Sequence, residues 1–140
     1  MATVHNGIDG VQRIPEWVQN GISQESILFA KAFGEELARK RFSTSQIRNV
    51  FSEIKNLQMK GEKGFTDLPL LLLKPKLAYA KARKSSGGRD AADAAGDLEK
   101  ILSKGIDSIV SGTQNKFNSF ENFANFFEAI LAYHRSMKGD

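Results

Sequence analysis

The sequence predicts an all-α protein, a compact five-helix bundle with a kinked third helix. Three observations lead there. Apolar residues recur at spacings of three and four in five separate stretches. No segment alternates apolar and polar residues for long enough to make a strand. The connections between the stretches are short, as in helical bundles, and 140 residues suit one domain with a modest core.

Residues 1–22 lack a period and contain Gly7, Gly10, Pro15 and Gly21, so they read as a flexible N-terminal arm that docks through Ile14 and Trp17. The helical domain is expected over residues 23–140. Its first helix runs from Ser23 to about Lys40 on the stripe Ile27, Ala30, Phe33, Leu37 and Ala38, with Gly34 weakening it by about 1 kcal/mol relative to alanine. The second opens at Ser43, where Ser43 and Gln46 form an S-x-x-Q capping box. Ile47, Val50, Phe51, Ile54 and Leu57 follow, and Gly61 and Gly64 supply left-handed geometry after Lys60.

The third helix starts at Asp67 as N-cap, with Pro69 in its first turn, and continues to Lys84. Pro75 lies inside it, removes the bond to the Leu71 carbonyl and predicts the kink. After the break SSGGR at 85–89, the fourth helix spans about Asp90 to Val110 on Leu98, Ile101, Leu102, Ile106 and Ile109. The fifth runs from about Phe117 to Met137, with Phe120, Phe123, Phe127, Ile130, Leu131 and His134 as its main stripe. The i, i+3, i+7 spacing of these phenylalanines favours core over base stacking, and Tyr79 and Tyr133 are read as core in the same way.

Composition excludes several function classes. With no cysteine, disulfides, thiolate metal sites and cysteine nucleophiles are out, and a reducing cytoplasm fits. The first residues have no apolar core of a signal peptide, and the longest apolar run, Leu68 to Leu73, is far shorter than the roughly 20 residues that span a bilayer. His5 and His134 are the only histidines, and neither has a second histidine or a carboxylate pair at ligand spacing. Asp90, Asp93 and Asp97 share a helical face, which reads as a solvated first turn complementing the helix dipole. No nucleotide-binding glycine loop or nucleophile elbow is present. The chain therefore reads as a non-enzyme with no cofactor and no metal.

Charge is the informative property. The net charge is +4, and the cations concentrate in the middle. Arg13 and Lys31 face Asp9, Glu16, Glu25, Glu35 and Glu36 in the first 38 residues. Residues 39–60 carry Arg39, Lys40, Arg41, Arg48, Lys55 and Lys60 against Glu53 alone, and residues 74–89 carry Lys74, Lys76, Lys81, Arg83, Lys84 and Arg89 with no acid. Such polarity favours a polyanion on one side. Arg41, Ser43, Ser45, Gln46 and Arg48 crowd a helix N-terminus, which presents free N–H groups to anions. Lys74 and Lys81, like Lys76 and Arg83, are spaced by seven on the third helix. Phosphate is the predicted ligand.

Three segments carry a family resemblance: FSTSQIRNVFSEI (42–54), LLLLKPKLAYAKAR (70–83) and FFEAILAYHR (126–135). In order and spacing they resemble the small subunit of type III-A CRISPR (Csm) effector complexes, across most of residues 25–138. The resemblance implies a small helical protein without catalytic activity that acts in antiviral defence. Several copies would line the groove that holds guide RNA and target RNA, beside a repeated backbone subunit and a large polymerase-like subunit. Base pairing would read sequence while the protein holds the backbone. Carried onto this chain, the RNA-binding residues would be Arg41, Gln46, Arg48, Lys55, Lys74, Lys76, Lys81 and Arg83, with Arg135 a further candidate. The bend at Pro75 would turn its neighbouring lysines toward the RNA. A helix-turn-helix DNA binder and a helical scaffold that binds only protein remain the competing readings, with the type III-B (Cmr) small subunit as a related third.

Overall fold

A 3-10 turn at Val11–Arg13 leads into α1 (Ile14–Asn20), followed by α2 (Gln24–Arg39), α3 (Thr44–Lys60), a second 3-10 turn at Glu62–Gly64, α4 (Leu68–Ala82), α5 (Gly88–Ser111) and α6 (Lys116–Lys138). The computed structural model describes residues 10–82, 88–113 and 115–138, and every regular element among them is helical.

Six helices replace the expected five. The additional one is α1, in the stretch read as an arm. Seven residues are too few to hold a helix in isolation, so its stability is tertiary. Ile14, Trp17 and Val18 are buried, and Trp17 tilts against Phe29 and Phe126 at centroid distances of 5.4 and 5.6 Å. Asn122 Nδ2 donates to the Val18 carbonyl at 2.8 Å, and Gln19 Nε2 donates to the Ser108 carbonyl at 2.9 Å. Pro15 sits in the first turn, where its missing N–H has no helical partner to lose.

Helix α6 is the axle of the bundle. It packs against α1, α2, α3 and α5, while α4 lies on α5 and α3. Its phenylalanines leave the helix in several directions: Phe126 reaches Trp17 and Phe29, Phe127 meets Phe51 at 5.8 Å, and Phe120 meets Phe65 at 5.3 Å. All of these α6 rings are buried, so they are core and unavailable to stack on bases. Gly34 has a packing reason to be there. A Cβ at this position would lie 2.6 Å from the Ile130 carbonyl oxygen, so glycine lets α2 and α6 approach closely.

Local chemistry sets the helix ends. At α2, Ser23 Oγ accepts from the Ser26 amide while Ser26 Oγ accepts from the Ser23 amide, at 3.3 and 2.8 Å, a full capping box. At α3 only half of the expected box forms. Ser43 Oγ accepts from the Gln46 amide at 3.0 Å, but the Gln46 side chain accepts from the Ser43 hydroxyl at 3.1 Å instead of reaching back to the backbone. After α3, Gly61 takes a positive φ of 73°, whereas Gly64 closes a 3-10 turn. At α4 the Asp67 carbonyl accepts from the Leu71 amide at 3.0 Å, while the Asp67 carboxylate accepts from Lys116 Nζ at 3.0 Å.

Helix α4 continues through Pro75 to Ala82 and is apolar on two sides. Leu70, Leu73 and Leu77 are buried against the bundle, while Leu68, Leu71, Leu72 and Tyr79 are exposed on the other side.

Candidate nucleic-acid interface

The interface begins in the turn between α2 and α3. The Phe42 amide donates to the Leu37 carbonyl and the Arg41 amide to the Ala38 carbonyl, both at 3.0 Å, which is the Schellman pattern. That pattern places Arg41 in left-handed geometry, at φ 66°, where glycine is usual and a side chain costs roughly 1–2 kcal/mol. The Arg41 side chain is exposed. The next residue, Phe42, is buried, and its carbonyl accepts from Nε2 of the fully buried His134 at 2.8 Å. His134 therefore ties the turn to α6, and it is more deeply enclosed than an ordinary helix-end histidine.

From this turn α3 presents an outward row of Ser45, Arg48, Ser52 and Lys55, all exposed. Spacings of three and four put them on one side of the helix, opposite the buried Ile47 and Ile54. At 1.5 Å per residue, Arg48 and Lys55 stand about 10.5 Å apart along the axis. Lys55 Nζ lies over the Phe51 ring, 5.5 Å from its centroid. Arg41, Arg48 and Lys55 form no ion pair among the described residues.

The lysines of α4 are placed differently. Lys74 is ion-paired with Asp107 of α5, and Lys76 with Glu53 of α3 at 3.2 Å. Lys81 belongs to α4, but its side chain and the whole of Arg83 lie outside the described residues. Arg135 is on α6, and its Nε is buried without a hydrogen-bond partner among the described residues. The structure thus brings Gln46 and Lys76 to one groove, gathers Arg41, Arg48 and Lys55 on and before α3, and turns Lys74 toward α5.

That groove, of about 160 Å³, separates α3 from α4. Gln46, Asn49, Val50 and Glu53 line it from α3, and Leu73, Lys76 and Tyr79 from α4. Asn49 and Glu53 were not among the candidate site residues read from sequence, and Tyr79, read there as core, is exposed instead. Their signal is positional: Asn49 and Glu53 fall one and two turns after Gln46, on the side of α3 facing α4.

Among the described residues, no group of three or more histidines, cysteines or carboxylates could hold a metal ion. Of the three aspartates in the first half of α5, Asp97 pairs with Lys40 at 3.4 Å, while Asp90 and Asp93 are exposed. No helix among the described residues is long and apolar enough to cross a membrane.

A search of curated proteins and a search of solved structures found no match. The family model Csm2 Type III-A matches residues 23–140. The matched region contains the turn at Arg41, the open cationic row of α3, the α3–α4 groove and the buried axle α6. This chain belongs to the Csm2 Type III-A family.

Proposed function

We propose that this chain, as a Csm2 family member and small subunit of a type III-A Csm complex, is a non-catalytic part of an RNA-guided antiviral effector in the cytoplasm, and that it holds the guide RNA and target RNA backbone without reading sequence. One observation supports this above all others: the outward row of α3 carries Arg48 and Lys55, exposed and without acidic partners among the described residues. Cations left open in this way can exchange their counterions for phosphates. Arg41 extends the row at its start, and Ser45 and Ser52 add hydroxyls that suit phosphate oxygens. Lys81 of α4 and Arg83 are proposed as further contacts, and Arg135 as a peripheral one. Lys74 and Lys76, already matched by Asp107 and Glu53, have the lesser part.

Each phosphate contact on a single strand adds about 0.7 to the salt slope of binding, so one copy touching a few phosphates binds weakly. Copies of this chain side by side in a complex, held by the repeated backbone subunit and the large polymerase-like subunit, gain affinity through effective concentration. Competition binding tests the reading. With a labelled mixed-sequence RNA at low salt, unlabelled RNAs of unrelated sequence should displace it equally well. Displacement chiefly by one duplex DNA sequence would overturn the proposal in favour of a helix-turn-helix reader.

A further inference from the structure

We infer that the groove between α3 and α4 receives one splayed-out nucleobase of an RNA strand whose phosphates lie on the outer row of α3. The inference rests on the RNA-binding reading and adds a base subsite to it.

Size comes first. The groove's volume is about 160 Å³, close to the roughly 150 Å³ of a cavity that takes benzene, so there is room for one aromatic ring. Its chemistry fits a base rather than a phosphate. The walls include Val50 and the buried Leu73, which suit the faces of a ring. Tyr79 lines the groove with its side chain 67% exposed, where a flat partner can reach it. The two amides supply the polar edge. Asn49 is exposed and lines the groove from α3. Gln46 accepts from Ser43 through Oε1 and keeps its NH2 group available. An amide carries both donor and acceptor, as base edges do. The one lysine here, Lys76, is matched by Glu53, so the groove offers little net attraction to a bare phosphate.

Position completes the case. At about 100° per residue, Asn49 lies between the Arg48–Lys55 row and the groove on the circumference of α3. A strand held by Arg48 and Lys55 can therefore turn one base over Asn49 and into the groove. Proteins that bind single-stranded RNA recognise unstacked bases in this way, by an aromatic face and hydrogen bonds to the base edge.

The test compares, for the full chain, binding of an oligouridine and of an abasic ribose-phosphate oligomer of equal length. Wild type should prefer the oligouridine. Tyr79→Ala should weaken oligouridine binding about fivefold or more and leave the abasic oligomer unchanged. Asn49→Ala should act in the same direction with a smaller effect. Both positions are exposed on helices, and circular dichroism checks that the variants keep their helices. If both variants bind oligouridine within twofold of wild type, or lose both ligands equally, the base subsite is overturned and backbone binding stands. If wild type binds neither oligomer, the RNA-binding reading itself fails and takes this inference with it.

Discussion

Helices α3 and α4 look alike as charge and differ as surface. Each comes from a cation-rich stretch of sequence, and each buries an apolar side in the bundle. On α3, Arg48 and Lys55 face outward and form no ion pair among the described residues. On α4, Lys74 and Lys76 are matched by Asp107 and Glu53, and the outer side is given over to Leu68, Leu71, Leu72 and Tyr79. Formal charge along a chain is thus a poor measure of charge available to a partner. An acid on a neighbouring helix can neutralise locally what the sequence presents as a basic run.

The sharpest way to break this comparison is to remove the cations pairwise. Arg48→Ala with Lys55→Ala should lower the slope of log affinity against log salt by about 1.4, two contacts' worth for a single strand. Lys74→Ala with Lys76→Ala should leave it nearly unchanged. Equal losses from the two pairs would show that α4 contributes open charge after all. Binding titrations across a salt series measure both.

A smaller effect is expected at the turn that starts α3. Arg41→Gly removes a side chain from left-handed geometry but adds freedom to the unfolded chain, which offsets part of the gain. The net expectation is a stabilisation of about 1 kcal/mol by urea denaturation, together with a lower salt slope for RNA. If the variant is more stable and binds RNA as well as wild type, Arg41 has no part in the interface.

The smallest effect concerns the pair that joins the two helices. Glu53 and Lys76 are about half exposed, so a double-mutant cycle should give a coupling of only about 0.2–1 kcal/mol. A much larger coupling would mean that the pair fixes the geometry of the groove rather than just neutralising Lys76.

Much of the fold was legible because burial follows the helical period. The stripes through Phe33, Ile54, Ile101 and Phe127 predicted four of the five expected helices, and the cap and apolar run after Asp67 the other, with ends within a few residues of those observed. Helix α1 was not legible because its cause is remote: Trp17 is held by Phe29 and Phe126, and no period forms in seven residues. The candidate site divides the same way. The exposure of Arg48 and Lys55 follows from their spacing against Ile47 and Ile54. The pairing of Lys74 with Asp107 joins positions far apart in the chain and depends on how α4 lies on α5, which no local pattern encodes. The left-handed turn at Arg41 carried no signal at all, since the residue that usually announces such a turn is absent.

The position of α6 in the chain bears on how the protein is made. A ribosome delivers Trp17, Phe29 and Phe51 well before the phenylalanines of α6 that they pack upon. Until residues 116–131 have cleared the exit tunnel, the earlier helices carry apolar faces with nothing to cover them, the condition in which nascent chains aggregate or recruit chaperones. The bundle therefore closes only once α6 has been made, around a centre that arrives after its periphery.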